Sequence, residues 1–101
     1  MTTPANNQPA ERMESFAAIL RAIPGSDSVA QRNRMLTAMQ KLGSVTSFES
    51  SRYLDCYHPP ARIFELRQDG QRIKTVMQGA RTECGAYHRV GVFILEGGGN
   101  A

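Results

Sequence analysis

Residues 56–73 read CYHPPARIFELRQDGQRI. Two prolines open a helical period there and a glycine closes it. The first turn of a helix has no intrahelical acceptors for its N–H groups, so Pro59 and Pro60 cost little at that position. The same prolines push Tyr57 and His58 into extended backbone, which separates this helix sharply from whatever precedes it. Residues 59–69 make about three turns. Ile63 and Leu66 are spaced to face a core, and Gly70 is a helix terminator. A short helix set off by a rigid turn, with Arg62 and Arg67 on its flanks, is built to present one face.

Upstream, Thr46 and Glu49 form the Thr-x-x-Glu pattern of a capping box, which predicts a short helix over 47–55. Its buried side is expected to carry Phe48, Ser50 or Ser51, and Leu54. The preceding SVT is long enough for one bridge-like strand. Before it, a Ser28-x-x-Gln31 box opens a longer helix. Val29, Met35, Leu36, Met39 and Leu42 follow its period, and Gly43 caps it. Residues 11–23 place Met13, Phe16, Ile19, Leu20 and Ile23 on one helical face, and Pro24-Gly25 ends it. That stripe predicts packing on its own domain, with dimerisation as the alternative. Residues 1–10 are rich in Pro, Asn, Thr and Gln and are expected to form a disordered tail.

Downstream of Gly70 the period changes to two. Ile73, Thr75 and Met77 alternate with Lys74, Val76 and Gln78, and Val90, Val92 and Ile94 alternate with Arg89, Phe93 and Leu95. The polar connector at 79–86 makes these two strands a hairpin. Residues 97–101 read as a flexible tail. The order is helix, short strand, helix, tight turn, helix, hairpin. That is an α+β arrangement of the winged helix-turn-helix type, a three-helix core with a C-terminal β-hairpin wing, plus an extra N-terminal helix. The division predicted is a tail at 1–10, an amphipathic helix and turn at 11–25, the winged domain at 26–96 and a tail at 97–101.

The 101-residue chain is long enough for one domain. With 7% aromatic residues and no Trp, its core is expected to be small and mostly aliphatic. The net charge of +3 is unevenly spread. Residues 1–27 carry two basic and three acidic side chains, whereas 28–96 carry ten basic against six acidic, a local net of +4. Ten of the twelve basic residues are Arg, the cation suited to bidentate contact with phosphate and guanine edges. No apolar run approaches a membrane span, and the N-terminus lacks the pattern of a secretory signal. The expected location is therefore cytoplasmic, with Cys56 and Cys84 as reduced thiols.

In a helix-turn-helix the second helix lies in the DNA major groove. With Ile63 and Leu66 inward, Ala61, Phe64, Glu65 and Gln68 project outward, flanked by Arg62 and Arg67. Gln can pair with adenine, Glu with the cytosine amine, and Phe or Ala can touch a thymine methyl. His58 sits at the turn, in reach of a phosphate or base edge. On the wing, Lys74, Arg81, Thr82, His88 and Arg89 are the candidates for backbone or minor-groove contact. Arg32, Arg34 and Lys41 are weaker candidates on an exposed helix face. Two alternatives stay open. Arg62 is either a DNA contact or paired internally with Asp69 or Glu49, and Phe64 is either a reader or core.

Cys56, His58, Cys84 and His88 are residue types that bind zinc, but their spacing does not match familiar fingers, and no metal or other cofactor is expected. Nor is a catalytic residue expected. Cys84 and His88 have only Glu83 nearby as an orienting carboxylate, and no glycine-rich phosphate loop precedes a helix. Nothing in the sequence points to a small-molecule substrate.

The segment 46–75 followed by AYHRVGVFIL resembles the small winged helix-turn-helix proteins of phages and integrated mobile elements. Thr46, Glu49, His58, Pro59, Ala61, Arg62, Ile63, Glu65, Leu66, Arg67, Gly70, Ile73, Arg89, Val90 and Leu95 carry the likeness. Ser50, Asp55 and Phe93 depart from it, standing where that pattern favours Ala, Gly and Tyr. The resemblance implies double-stranded DNA as partner, and a role in transcriptional control or as an accessory to recombination or excision. A homodimer joined through residues 11–23 would extend the small site of one winged helix. The competing expectation is a protein-interaction module without DNA binding. Phe64 outward with both arginines in ion pairs would favour it, and free arginines continuous with a basic wing would favour DNA.

Overall fold

The computed structural model describes residues 9–81 and 83–97. Four helices and three strands follow one another as α1 (Pro9–Ala22), α2 (Ser28–Leu42), β1 (Ser44–Thr46), α3 (Ser47–Tyr53), α4 (Pro59–Gln68), β2 (Ile73–Arg81) and β3 (Tyr87–Leu95). The strands make one antiparallel sheet in the order β1-β3-β2. The winged helix-turn-helix architecture is thus present, with the extra N-terminal helix. That helix begins at Pro9, a residue suited to a first turn, and takes in the last two residues of the expected tail. Residues 1–8 and 98–101 lie outside the described residues.

The helix ends show how local chemistry sets the boundaries. The Thr46 hydroxyl accepts from the Glu49 N–H at 2.9 Å, and the Glu49 carboxylate accepts from the Thr46 N–H at 3.0 Å, so the expected capping box is complete. The box expected at Ser28 does not form. Asp27, one residue earlier and in extended backbone, caps α2 by accepting from the Ala30 N–H at 3.2 Å. Gln31 instead donates to the Ser26 carbonyl at 2.8 Å. Pro59 and Pro60 occupy the first positions of α4, as their missing N–H groups favour. At the other end Gln71 N–H reaches the Leu66 carbonyl and Gly70 N–H the Arg67 carbonyl, both at 3.0 Å. This six-to-one, five-to-two closure needs a left-handed residue, supplied by Gly70 at φ 99°.

The core joins Phe16 and Ile19 of α1 to Met35 and Met39 of α2, Val45 of β1, Leu54, Ile63 and Leu66 from the helix-turn-helix, and Ile73 and Phe93 of the sheet. α1 therefore does pack on its own domain. Four apolar expectations fail. Met13, Leu20, Val29 and Phe48 are all exposed, the last at 44%. On α2 the buried stripe is rotated away from Val29 toward Ala30, Gln31 and Arg34. On α3 the fully buried side chain is Ser50, whose hydroxyl donates to the Thr46 carbonyl, while Phe48 lies edge-on to Tyr53.

Arg34, expected on an exposed helix face as a weaker candidate for DNA contact, is instead fully buried. Its Nε donates to the Leu54 carbonyl at 2.7 Å, Nη1 to Ile23 and Gly25 at 2.7 and 2.8 Å, and Nη2 to Asp55 at 3.4 Å. One guanidinium fork thus satisfies backbone acceptors from both the α1–α2 loop and the α3–α4 turn. It holds the turn of the helix-turn-helix against the helix behind it.

A candidate nucleic-acid interface on α4 and the wing

Because Pro59 and Pro60 fix the entry of α4 and Ile63 and Leu66 anchor its inner side, the outer side is determined by helical projection. Ala61, Phe64 and Gln68 are exposed on it, and Phe64, at 60% exposure, is not part of the core. His58 is exposed just before the first turn and makes no side-chain cap. Beside it Tyr57, which the sequence reading passed over, is 64% exposed. Its hydrogen bond to Asp55 and the charge there push its phenol above the ordinary value.

The charged residues of α4 are already engaged. Arg62 pairs with neither Asp69 nor Glu49 but with Glu65, one turn on, with Nη2 donating to Oε2 at 3.1 Å. Its Nε lies 3.0 Å from Glu65 Oε1 but is not aimed at it, and has no hydrogen-bond partner among the described residues. Arg32 of α2 reaches the same carboxylate at 3.0 Å. Glu65 therefore sits between two arginines, a mostly covered cluster that leaves one net positive charge beside the outer face. Arg67 is exposed, as expected, but most of its fork is used. Nε and Nη2 donate to the Ile73 carbonyl at 3.0 and 2.7 Å, and Nη2 also to Thr75 Oγ1 at 3.0 Å. That bidentate grip ties the end of α4 to the start of the wing.

The register sorts the wing residues by face. Arg81 pairs with Tyr87 and Gly79 with Arg89, so all four share the strand face of Thr75, the residue Arg67 holds. Lys74 and His88 belong to the opposite face, and Lys74 stands 3.9 Å from Glu96. The sequence candidates on the wing are thus not brought together as one surface. Arg81 donates to the Gly85 carbonyl at 3.0 Å and lies 5.5 Å over the Tyr87 ring centroid. The phenol end of Tyr87 lies over Gly79, where a Cβ would collide with it. Arg89 and His88 are exposed, while Thr82 lies outside the described residues. Tyr87 was missed by the sequence reading; the glycine two residues from Arg81 on the partner strand is the signal that an aromatic ring covers that point.

A family model described as a winged helix-turn-helix domain matches residues 30–97. The chain belongs to that family. No curated protein and no solved structure matches it. The match starts within α2, so the helix-turn-helix and the whole wing of this winged helix-turn-helix domain lie inside it and α1 lies before it. Such domains are typically non-enzymatic DNA-binding folds, and α4 is the second helix of this helix-turn-helix. Among the described residues no three His, Cys, Asp or Glu side chains gather where a metal could sit. The two cysteines have unlike surroundings. Cys56 is buried, with its thiol donating to Met35 Sδ at 3.4 Å and pushed up by that burial, whereas Cys84 is exposed. Among the described residues no helix is long and apolar enough to cross a membrane.

Proposed function

We propose that this winged helix-turn-helix protein binds double-stranded DNA with sequence preference. α4 lies in the major groove, with the Arg81–Arg89 face of the wing on the adjacent backbone or minor groove. The observation that carries this reading is the exposed outer side of α4, with Ala61, Phe64 and Gln68 uncovered, and its tie through Arg67 to Thr75, on the strand face that further along carries Arg81 and Arg89. Lys74 and His88, on the other face, become peripheral backbone contacts, and Arg67 acts chiefly by holding the wing to α4. The resemblance to small proteins of phages and mobile elements supports an output in transcriptional control or in a recombination or excision step, within the cytoplasm and on the nucleoid. Specificity beyond one small site comes from a second copy, joined through residues 11–23, where Met13 and Leu20 remain exposed after Phe16 and Ile19 are buried.

Titration of random and genomic duplexes at two salt concentrations tests the reading. Binding weakens steeply with salt, and Arg81→Ala/Arg89→Ala lowers the logarithmic salt slope by about 2, one per lost phosphate contact. No binding to any duplex at low salt, with the fold intact, would contradict it.

A second reading has its own support. Phe64 points outward and Arg62 is in an ion pair, as a protein-docking face would have it. Against this, Arg67 is bonded to a backbone carbonyl and not to a carboxylate, and Arg89 is exposed on the strand face that also carries Thr75, which Arg67 bonds. A partner protein captured by α4 and lost in Phe64→Ala, with no duplex binding, would favour the second reading.

A further inference from the structure

The outer face of α4 carries more information than its position. Ala61, Phe64 and Gln68 fall at spacings of three and four residues, so they form one stripe along the helix, and all three are exposed. The polar groups that would recognise a G·C pair are taken up elsewhere. Guanine is read by a bidentate Arg or Lys on O6 and N7, and the cytosine amine by a carboxylate. Arg62 has a side chain only 15% exposed and is paired with Glu65. Arg67 has committed Nε and Nη2 to Ile73. Glu65, the carboxylate within α4, is held by Arg32 and Arg62 together. Along the stripe itself, what remains uncommitted is a methyl, a phenyl ring and a carboxamide, with the exposed His58 just before the helix.

We propose that α4 reads the C5 methyl group of a pyrimidine through Phe64, with Ala61 extending the apolar contact and Gln68 hydrogen-bonding adenine in a neighbouring A·T pair. The assignment rests on the DNA-binding reading above and narrows it. A phenyl ring 60% exposed to water on a short helix is a standing apolar surface, and in a major groove the C5 methyl is the apolar group available to cover it. Thymine and 5-methylcytosine present the same methyl. The base that flanks it is then selected by the Gln68 amide, which can donate to adenine N7 and accept from N6.

The test uses the full chain. A preferred duplex is first selected from a random pool, and its thymines are then replaced singly by deoxyuridine, which removes only the methyl. In parallel, any cytosine under α4 is replaced by 5-methylcytosine. Wild type is expected to lose about fourfold in affinity at one thymine, the effect of one buried methyl, or to gain as much on cytosine methylation at that step. Phe64→Ala, an exposed position, is expected to melt at the wild-type temperature and to make no distinction in either comparison. Tight binding that ignores the methyl at every position, or a selected G·C-rich site that also ignores cytosine methylation, overturns the proposal while leaving DNA binding in place. Absence of duplex binding at low salt overturns both.

Discussion

Arg34 of α2 donates to the carbonyl of Asp55 in the turn between α3 and α4, and each of the two breaks a local preference. Arg34 is a cation in the core with carbonyls, not carboxylates, as its partners. An arginine in a core stripe costs desolvation, which only several well-directed acceptors offset. The sequence held a signal for this. Gln31, Arg34, Ala38 and Leu42 recur at three- and four-residue spacing, so Arg34 falls inside a buried stripe; choosing Val29 as the stripe's start turned that face toward solvent. Asp55 lies at φ 53°, the left-handed region where a Cβ is penalised. Asp55 also stands where the pattern it resembles favours glycine. Asp55→Gly is expected to relieve the penalty and lose part of the gain to unfolded-chain entropy, for a net stabilisation of about 0.5 kcal/mol. That corresponds to a melting temperature higher by about 3 °C. A lower melting temperature would show that Asp55 contributes more through its contacts than its backbone costs.

At the scale of elements, the capping chemistry was the most legible part of the chain and the packing faces the least. Thr46–Glu49, Pro59–Pro60, Gly43 and Gly70 mark boundaries because each answers an orphan N–H or carbonyl within a few residues, which sequence alone can display. The exposed Phe48 was misread because a phenylalanine on a short helix looks apolar from its own sequence. Its surroundings depend on α1 and the sheet, distant along the chain. Glu49 illustrates the same dependence. Its capping role is local, but its ion pair with Arg12, at 2.8 Å, spans α1 and α3. Burial alone would push the Glu49 carboxyl up. The hydrogen bonds from Arg12 and the Thr46 backbone, with the Arg12 charge, outweigh it and leave the group below its ordinary value. On the partner side the hydrogen bond to Glu49 outweighs burial and raises Arg12, so both partners agree. A carboxylate lowered on folding contributes stability above its unfolded value and loses it as pH falls through the folded one. Thermal melts between about pH 6 and about pH 3 are therefore expected to show a steeper acid loss for wild type than for Glu49→Gln. Parallel losses would place the clamp's contribution elsewhere.

Across the whole molecule, the element order and the sheet followed from periodicity, whereas the interface was legible only in outline. The outward placement of Ala61, Phe64 and Gln68 follows from two inward anchors and a helical projection. The engagement of Glu65 by Arg32, and of Arg67 by Ile73, joins residues 33 and 6 apart in contacts that no periodicity specifies. Alternation alone separates Lys74 from Arg81 and His88 from Arg89, whereas the matching of Arg81 with Arg89 across the hairpin depends on a register that the polar connector left open. The second-copy proposal belongs at this scale too. Sedimentation is expected to show a dimer for wild type and a monomer for Met13→Glu/Leu20→Glu, with unchanged melting because both positions are exposed. A monomer for both at the concentrations used for DNA binding would remove residues 11–23 as the joining segment. The most direct test of the interface is a titration of isotope-labelled protein with a duplex, followed by backbone amide chemical shifts. The account predicts that perturbations concentrate on residues 57–68 and on the wing around Arg81, Tyr87 and Arg89, leaving the outer side of α1 unmoved. Perturbations confined to α1 and the edge around Phe48, or a spectrum indifferent to DNA, would contradict it.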